Sequence, residues 1–221
     1  MTYPSILTLL LLLSTIGVRA DEAIDESTPA KAIASLTDPK KLATLKGERA
    51  ANPRFQKCLY WLAIGETMFK GSAEFDGMLK VIEEASRLNK TFGTPYATAI
   101  RDTFLANYMT ALNYGIFNSA GLEELKQGKS ATITEGEYAG QEATADHRIP
   151  RSVCPELDNQ IFNLRLLPTK LNSSKGDKVQ EEQVEEAEFF HKNGLLSDKG
   201  LEAVKSAYKK EALPPKSINQ L

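Results

Sequence analysis

Asp146 and His147 are adjacent, Asn172 follows beyond a short apolar run, and Lys175 lies one helical turn further on. A carboxylate and an amide oxygen are hard donors that suit Mg²⁺ or Mn²⁺, with coordination positions left for water and phosphate. An imidazole near its reference pKa of about 6.5 can take a proton from water around neutral pH, which makes His147 the candidate general base. Phosphodiester hydrolysis needs these parts: a water made nucleophilic, a cation on the phosphate oxygens, and groups that hold the phosphate in line. Adjacency carries a constraint of its own. Consecutive side chains on a strand point to opposite faces, so Asp146 and His147 share a site only if the backbone bends or the two approach the phosphate from different sides.

Arg148, Arg151, Arg165, Lys170, Lys175 and Lys178 surround these residues. Arg148, Arg151 and Lys175 are the candidates for phosphate contact, being nearest the proposed chemistry, whereas Arg165 and Lys178 read as a solvated face. The whole chain has a net charge of −2. Attraction to a polyanion must therefore be local, and salt should weaken it.

The elements that would position these groups are a strand over Glu142–Ile149, a long loop, a short apolar strand over Asn163–Pro168, and a helix from Thr169 that ends at Gly176. That order is ββα. The pattern Asp146-His147-x-x-Pro150, Asn163-Leu164 and Asn172-x-x-Lys175-Gly176 resembles the HNH, or His-Me finger, endonucleases. The run Glu48-Arg49-Ala50-Ala51-Asn52-Pro53-Arg54, with Tyr60-Trp61-Leu62 and Pro155-Glu156-Leu157-Asp158-Asn159, is similar to a group of bacterial HNH-endonuclease-like proteins with a helical N-terminal part. The resemblance implies a ββα-metal unit with His147 as base and one Mg²⁺ or Mn²⁺ on Asp146 and Asn172. It further implies that Asn163 hydrogen-bonds across the loop, and that the substrate is nucleic acid, DNA favoured over RNA. Asn159 is the weaker choice for the middle asparagine. Two other readings stay open: a non-catalytic periplasmic interaction protein that keeps the fold, and an RNase or antibacterial toxin with an immunity protein as partner.

The fold class expected is α+β, predominantly helical. Residues 1–20 have the pattern of a secretory signal, an apolar run followed by Val18-Arg19-Ala20, so the expected location is secreted or periplasmic with no membrane span after cleavage. Residues 21–45 read as a flexible lead, 46–129 as a helical region, 130–180 as the nuclease motif and 181–221 as C-terminal helices. Helices are expected over Pro53–Phe69, Met78–Leu88 and Pro95–Phe117, with their aromatics in the core. Glu181–Glu188 holds five glutamates. It reads as a solvated helix face that would repel DNA and so cannot line the cleft. Export would permit a disulfide between Cys58 and Cys154, which would staple the motif loop to the helical part; two buried free thiols are the equal alternative.

Overall fold

The computed structural model describes residues 28–45 and 51–212. The signal-like segment 1–20 lies outside them, as do Glu48, Arg49 and Ala50 of the Glu48–Arg54 run. The architecture is α+β and mostly helical. Its elements are α1 (Thr28–Thr37), α2 (Pro39–Leu42), α3 (Ala51–Met68), α4 (Asp76–Leu88), α5 (Pro95–Asn113), α6 (Ser119–Gln127), β1 (Ala131–Thr132), β2 (Glu142–His147), β3 (Leu164–Pro168), α7 (Thr169–Lys175), α8 (Glu181–Lys192) and α9 (Asp198–Ala212). Two 3₁₀ turns, Pro155–Leu157 and Ile161–Asn163, shape the loop between β2 and β3. Among the described residues no helix is long and apolar enough to cross a membrane.

The helix starts follow from local chemistry. Asp38, Thr94 and Asn118 cap α2, α5 and α6 with side-chain oxygens, satisfying N–H groups that a first turn leaves open, and Pro39 and Pro95 occupy first-turn positions that lack such a need. Ser197 Oγ accepts from Gly200 N at the head of α9 in the same manner. Helices α3 and α4 approach closely because each places a glycine at the contact. A Cβ on Gly77 would fall 2.6 Å from the carbonyl oxygen of Gly65, and one on Gly65 would fall 2.6 Å from Val81 Cγ2.

Residues 28–42, expected as part of a flexible lead, are instead helical. Ala30, Ile33 and Ala34 are buried at helical spacing, Leu42 is buried beside them, and α1 packs on both α3 and α4. The small side chains that make this segment look featureless are what let it sit close against its neighbours. Tyr96 Oη donates to the carbonyl of Thr37 and Asn89 Nδ2 to that of Ala34, so the segment's end is held by hydrogen bonds from helices far along the chain.

The three strands form one antiparallel sheet in the order β1-β2-β3, with Asp146 opposite Arg165 and His147 opposite Leu164. Polar side chains from the helical region fix both outer margins of the β2-β3 pair. On α3, Gln56 Nε2 donates to the carbonyl of Ala143 at 3.0 Å and Asn52 Nδ2 to that of Ala145 at 3.4 Å. On α5, Asn107 Oδ1 accepts from Leu166 N at 2.7 Å while its Nδ2 donates to the carbonyl of Leu164 at 3.3 Å, and Thr103 Oγ1 donates to that of Phe162.

Cys58 and Cys154 are both buried free thiols, so the disulfide reading is set aside. Cys58 lies on α3, and burial pushes its thiol far above the usual range. Cys154 is raised to about 11, by burial first and then by the Glu156 carboxylate. A thiol held protonated is a poor nucleophile. We therefore expect no alkylation of the native protein by iodoacetamide at mildly alkaline pH, and two adducts by mass spectrometry once it is denatured without reductant. A denatured sample that gains no adduct would mean the two sulfurs are bonded.

Candidate functional site

Strand β2 places its residues alternately. Ala143 and Ala145 are buried in the core, while Thr144 and Asp146 face α7. His147, the strand's last residue, turns instead to the loop. The adjacent Asp146 and His147 thus serve opposite sides of the strand end.

Asn163 fixes that end. It is fully buried; its Oδ1 accepts from Ile149 N at 3.0 Å, and its Nδ2 donates to the carbonyl of Ile149 at 2.9 Å and to that of Leu157 at 3.4 Å. One amide therefore ties the exit of β2 to the loop and to the entry of β3, and Arg148 N adds a backbone bond to the carbonyl of Asn163.

His147 Nε2 lies 2.8 Å from the backbone carbonyl of Asp158 and 3.2 Å from its Oδ1. Both partners are acceptors, so Nε2 carries the proton in the neutral ring and Nδ1 holds the free lone pair. The arrangement can therefore take a proton at a defined atom, and the Asp158 carboxylate is placed to stabilise the imidazolium that results. Sequence reasoning missed Asp158. Any residue's carbonyl could have filled the first of its two roles, and only the second, a carboxylate in the loop, left a signal.

The other nominated residues fall as follows. Lys175 Nζ donates to Asp146 Oδ1 at 3.1 Å and Oδ2 at 2.9 Å, and also to the carbonyl of His147. Arg165 Nε donates to Asp146 Oδ2 at 3.2 Å, so the buried carboxylate sits between two cations. Asn172, one turn before Lys175 on α7, donates from Nδ2 to Thr144 Oγ1 at 3.0 Å, which leaves the carbonyl end of its amide as a donor atom for a cation. Asn159 instead donates to the carbonyl of Leu45. Arg151 lies in the turn after β2.

Two expectations about charge are corrected. Arg148 bonds Glu186, and Arg165 approaches Glu182 at 3.7 Å as well as Asp146. Glu182 and Glu186 are one turn apart on α8, so the acidic helix is not simply a solvated face: it lies along the ββα unit with two carboxylates toward its arginines. Arg148 is thereby matched by a neighbouring carboxylate rather than left for phosphate, and Arg165, expected to be solvated, is half-buried.

Among the described residues, no three His, Cys, Asp or Glu side chains converge as a metal site. The donor set that the resemblance nominates is one carboxylate and one amide on facing elements, and the hard-oxygen chemistry of that pair fits Mg²⁺ or Mn²⁺. The carboxylate is already matched by the Lys175 ammonium and the Arg165 guanidinium. No family model matches the chain, and neither a curated protein nor a solved structure matches it.

Proposed function

We propose that the protein is an exported endonuclease that hydrolyses nucleic-acid phosphodiester bonds, DNA before RNA, built on an HNH-type ββα-metal unit. The observation that carries this reading is the pairing of the buried Asn163 lock with a His147 whose Nε2 is committed to donation. A general base needs a fixed ring and a known lone pair, and a histidine retained only for packing needs neither. Water positioned at Nδ1 gives up its proton to the ring as its oxygen forms the bond to phosphorus. The bond from phosphorus to the 3′ oxygen breaks, leaving 5′-phosphate and 3′-hydroxyl ends. Asp158 holds the imidazolium, and Arg151 supplies positive charge beside the backbone, while Lys175, expected to contact phosphate, is matched by Asp146. A Mg²⁺ or Mn²⁺ on Asp146 and Asn172 would neutralise charge on the phosphate and the departing oxygen. The test is incubation with plasmid, single-stranded DNA and RNA, in Mg²⁺ or in EDTA, beside the His147→Ala variant. Cleavage that needs the divalent ion and His147 supports the reading.

A second reading, a non-catalytic interaction protein on the same scaffold, is favoured by one observation: both oxygens of Asp146 are already held by cationic side chains. Lys175→Ala separates the two. Removing the ammonium from a carboxylate this buried should cost about 1–3 kcal/mol of stability in EDTA, less than a fully orphaned charge because Arg165 remains. If Asp146 and Asn172 accept a divalent ion, Mg²⁺ should recover part of that loss and raise the melting temperature of Lys175→Ala more than that of wild type. Equal, negligible shifts in both proteins would favour the scaffold reading.

A further inference from the structure

Thr144 lies two residues before Asp146 on β2, opposite Leu167 of β3 and against α7. Its hydroxyl has one proton to give. The carbonyl of Leu167 stands 3.0 Å from Oγ1 and can only accept, so that proton goes to the neighbouring strand. What Oγ1 then offers Asn172 is lone pairs, and the Asn172 side chain, 3.0 Å away, meets them with Nδ2–H₂. The polarity of this chain of bonds orients the amide, with its nitrogen toward β2 and Oδ1 at the other end. The two ends of an amide are nearly alike in shape, so hydrogen bonds decide which one faces where. Packing gives little help on α7. Of its seven residues only Asn172 and Lys175 are even part-buried. The helix is fastened by polar bonds, among them Thr169 Oγ1 to the Glu142 carbonyl and Lys170 N to Gln141 Oε1, each at 3.1 Å.

We propose that Thr144 is a positioning residue for the divalent ion: its hydroxyl holds the Asn172 amide with Oδ1 available as a ligand and keeps the N–H₂ end away from the cation. The proposal rests on the metal part of the nuclease reading, and it names the residue on which the affinity of Asn172 for the ion depends. For a cation the two ends of the amide are opposites. The carbonyl oxygen is a hard donor, whereas the N–H₂ group presents hydrogens and offers no lone pair. With Thr144 in place, turning the amide over would set oxygen against oxygen, unless the hydroxyl gave up its bond to the Leu167 carbonyl. One strand hydroxyl thereby imposes an orientation on a helix that has no packed face of its own. The spacing makes this possible, because residues i and i+2 of a strand share a face. Thr144 and Asp146 therefore both point to α7, one as the proposed ligand and the other as the group that aims the second ligand.

The experiment is calorimetric titration of the metal-free protein with Mn²⁺, comparing wild type, Thr144→Val, Thr144→Ser, Asn172→Asp, and Thr144→Val combined with Asn172→Asp. Thr144 is part-buried on a strand, and valine keeps its branched shape and strand preference while removing the hydroxyl, so these variants should fold. Thr144→Val is expected to bind Mn²⁺ about 10- to 100-fold more weakly than wild type, the range for loss of a hydrogen-bond partner behind a metal ligand. Thr144→Ser should bind as wild type does. A carboxylate has oxygen at both ends, so beside Asn172→Asp there is no wrong orientation to prevent, and Thr144→Val should cost little there. A threonine needed only for the shape of the strand would cost the same in both backgrounds. Unchanged affinity in Thr144→Val, an equal loss in both backgrounds, or no Mn²⁺ binding by wild type overturns the proposal. The nuclease reading fails separately. The expected pattern of Mn²⁺ binding in a protein that leaves plasmid, single-stranded DNA and RNA intact keeps the role of Thr144 and removes the enzyme, whereas His147-dependent cleavage beside an indifferent Thr144→Val removes the role of Thr144 alone.

Discussion

On the proposed nuclease reading, His147→Ala is expected to cleave nucleic acid about 10²- to 10⁴-fold more slowly than wild type, the range that loss of a general base produces, while its melting temperature changes little. The expectation follows from where the ring sits. It closes the end of β2, is hydrogen-bonded to the loop at Asp158, and is part-buried rather than central to the core. Rates should be compared under single-turnover conditions, so that product release does not hide the chemical step. Asp158→Asn is the instructive companion. It keeps the backbone carbonyl, and with it the Nε2–H tautomer, but removes the charge that stabilises the imidazolium, so its loss should be real and smaller. Cleavage by His147→Ala at the wild-type rate would remove this residue from the mechanism altogether.

The second large effect is on stability. Asn163→Ala removes the partners of both backbone groups of one buried residue at once, stranding the N–H and the carbonyl of Ile149, and it also takes away the contact with Leu157. Each stranded group costs roughly 1–3 kcal/mol, so a total of about 2–6 kcal/mol is expected. For a chain of this length that corresponds to a fall of about 4–24 °C in melting temperature. Asn163→Asp keeps the acceptor and loses the donor, and should fall between the two proteins. Thermal unfolding of all three decides the matter: an alanine variant as stable as wild type would mean the loop is held by something other than this amide.

Much of the site was legible because its members are close in sequence. Asp146-His147 at the end of an alternating run, Asn163 at the head of an apolar one, and Gly176 after a short helix are local signals, and the strands and α7 lie where those signals put them. The assignments that failed depended on distance. Nothing near Glu182 or Glu186 hints at Arg165 or Arg148, and an acidic run by itself argues for solvent. Nothing near Asp146 shows that Lys175, rather than Asn172, reaches its carboxylate; that follows from how α7 lies along β2, with Asn172 against Thr144 and Lys175 one turn further along. Residues 28–42 failed for another reason. Ala30, Ile33 and Ala34 do keep helical spacing, but small side chains among Ser, Thr and Lys give a weak signal until α3 and α4 cover them. Gln56, Asn52, Asn107 and Thr103 were invisible for the first reason: each supports a strand from a helix far earlier in the chain.

Asn107 has one more consequence. A sheet of three strands ends in β3, and an uncovered outer strand offers a ladder that another chain can extend, the usual route to edge-to-edge aggregation. Here one side-chain amide accepts from Leu166 N and donates to the carbonyl of Leu164, reproducing on the outer side of β3 the pairing that a fourth strand would bring. Because α5 supplies that partner from within the same molecule, a second copy finds this stretch of ladder already taken, and the protein can carry a small sheet with an open outer strand without recruiting its neighbours.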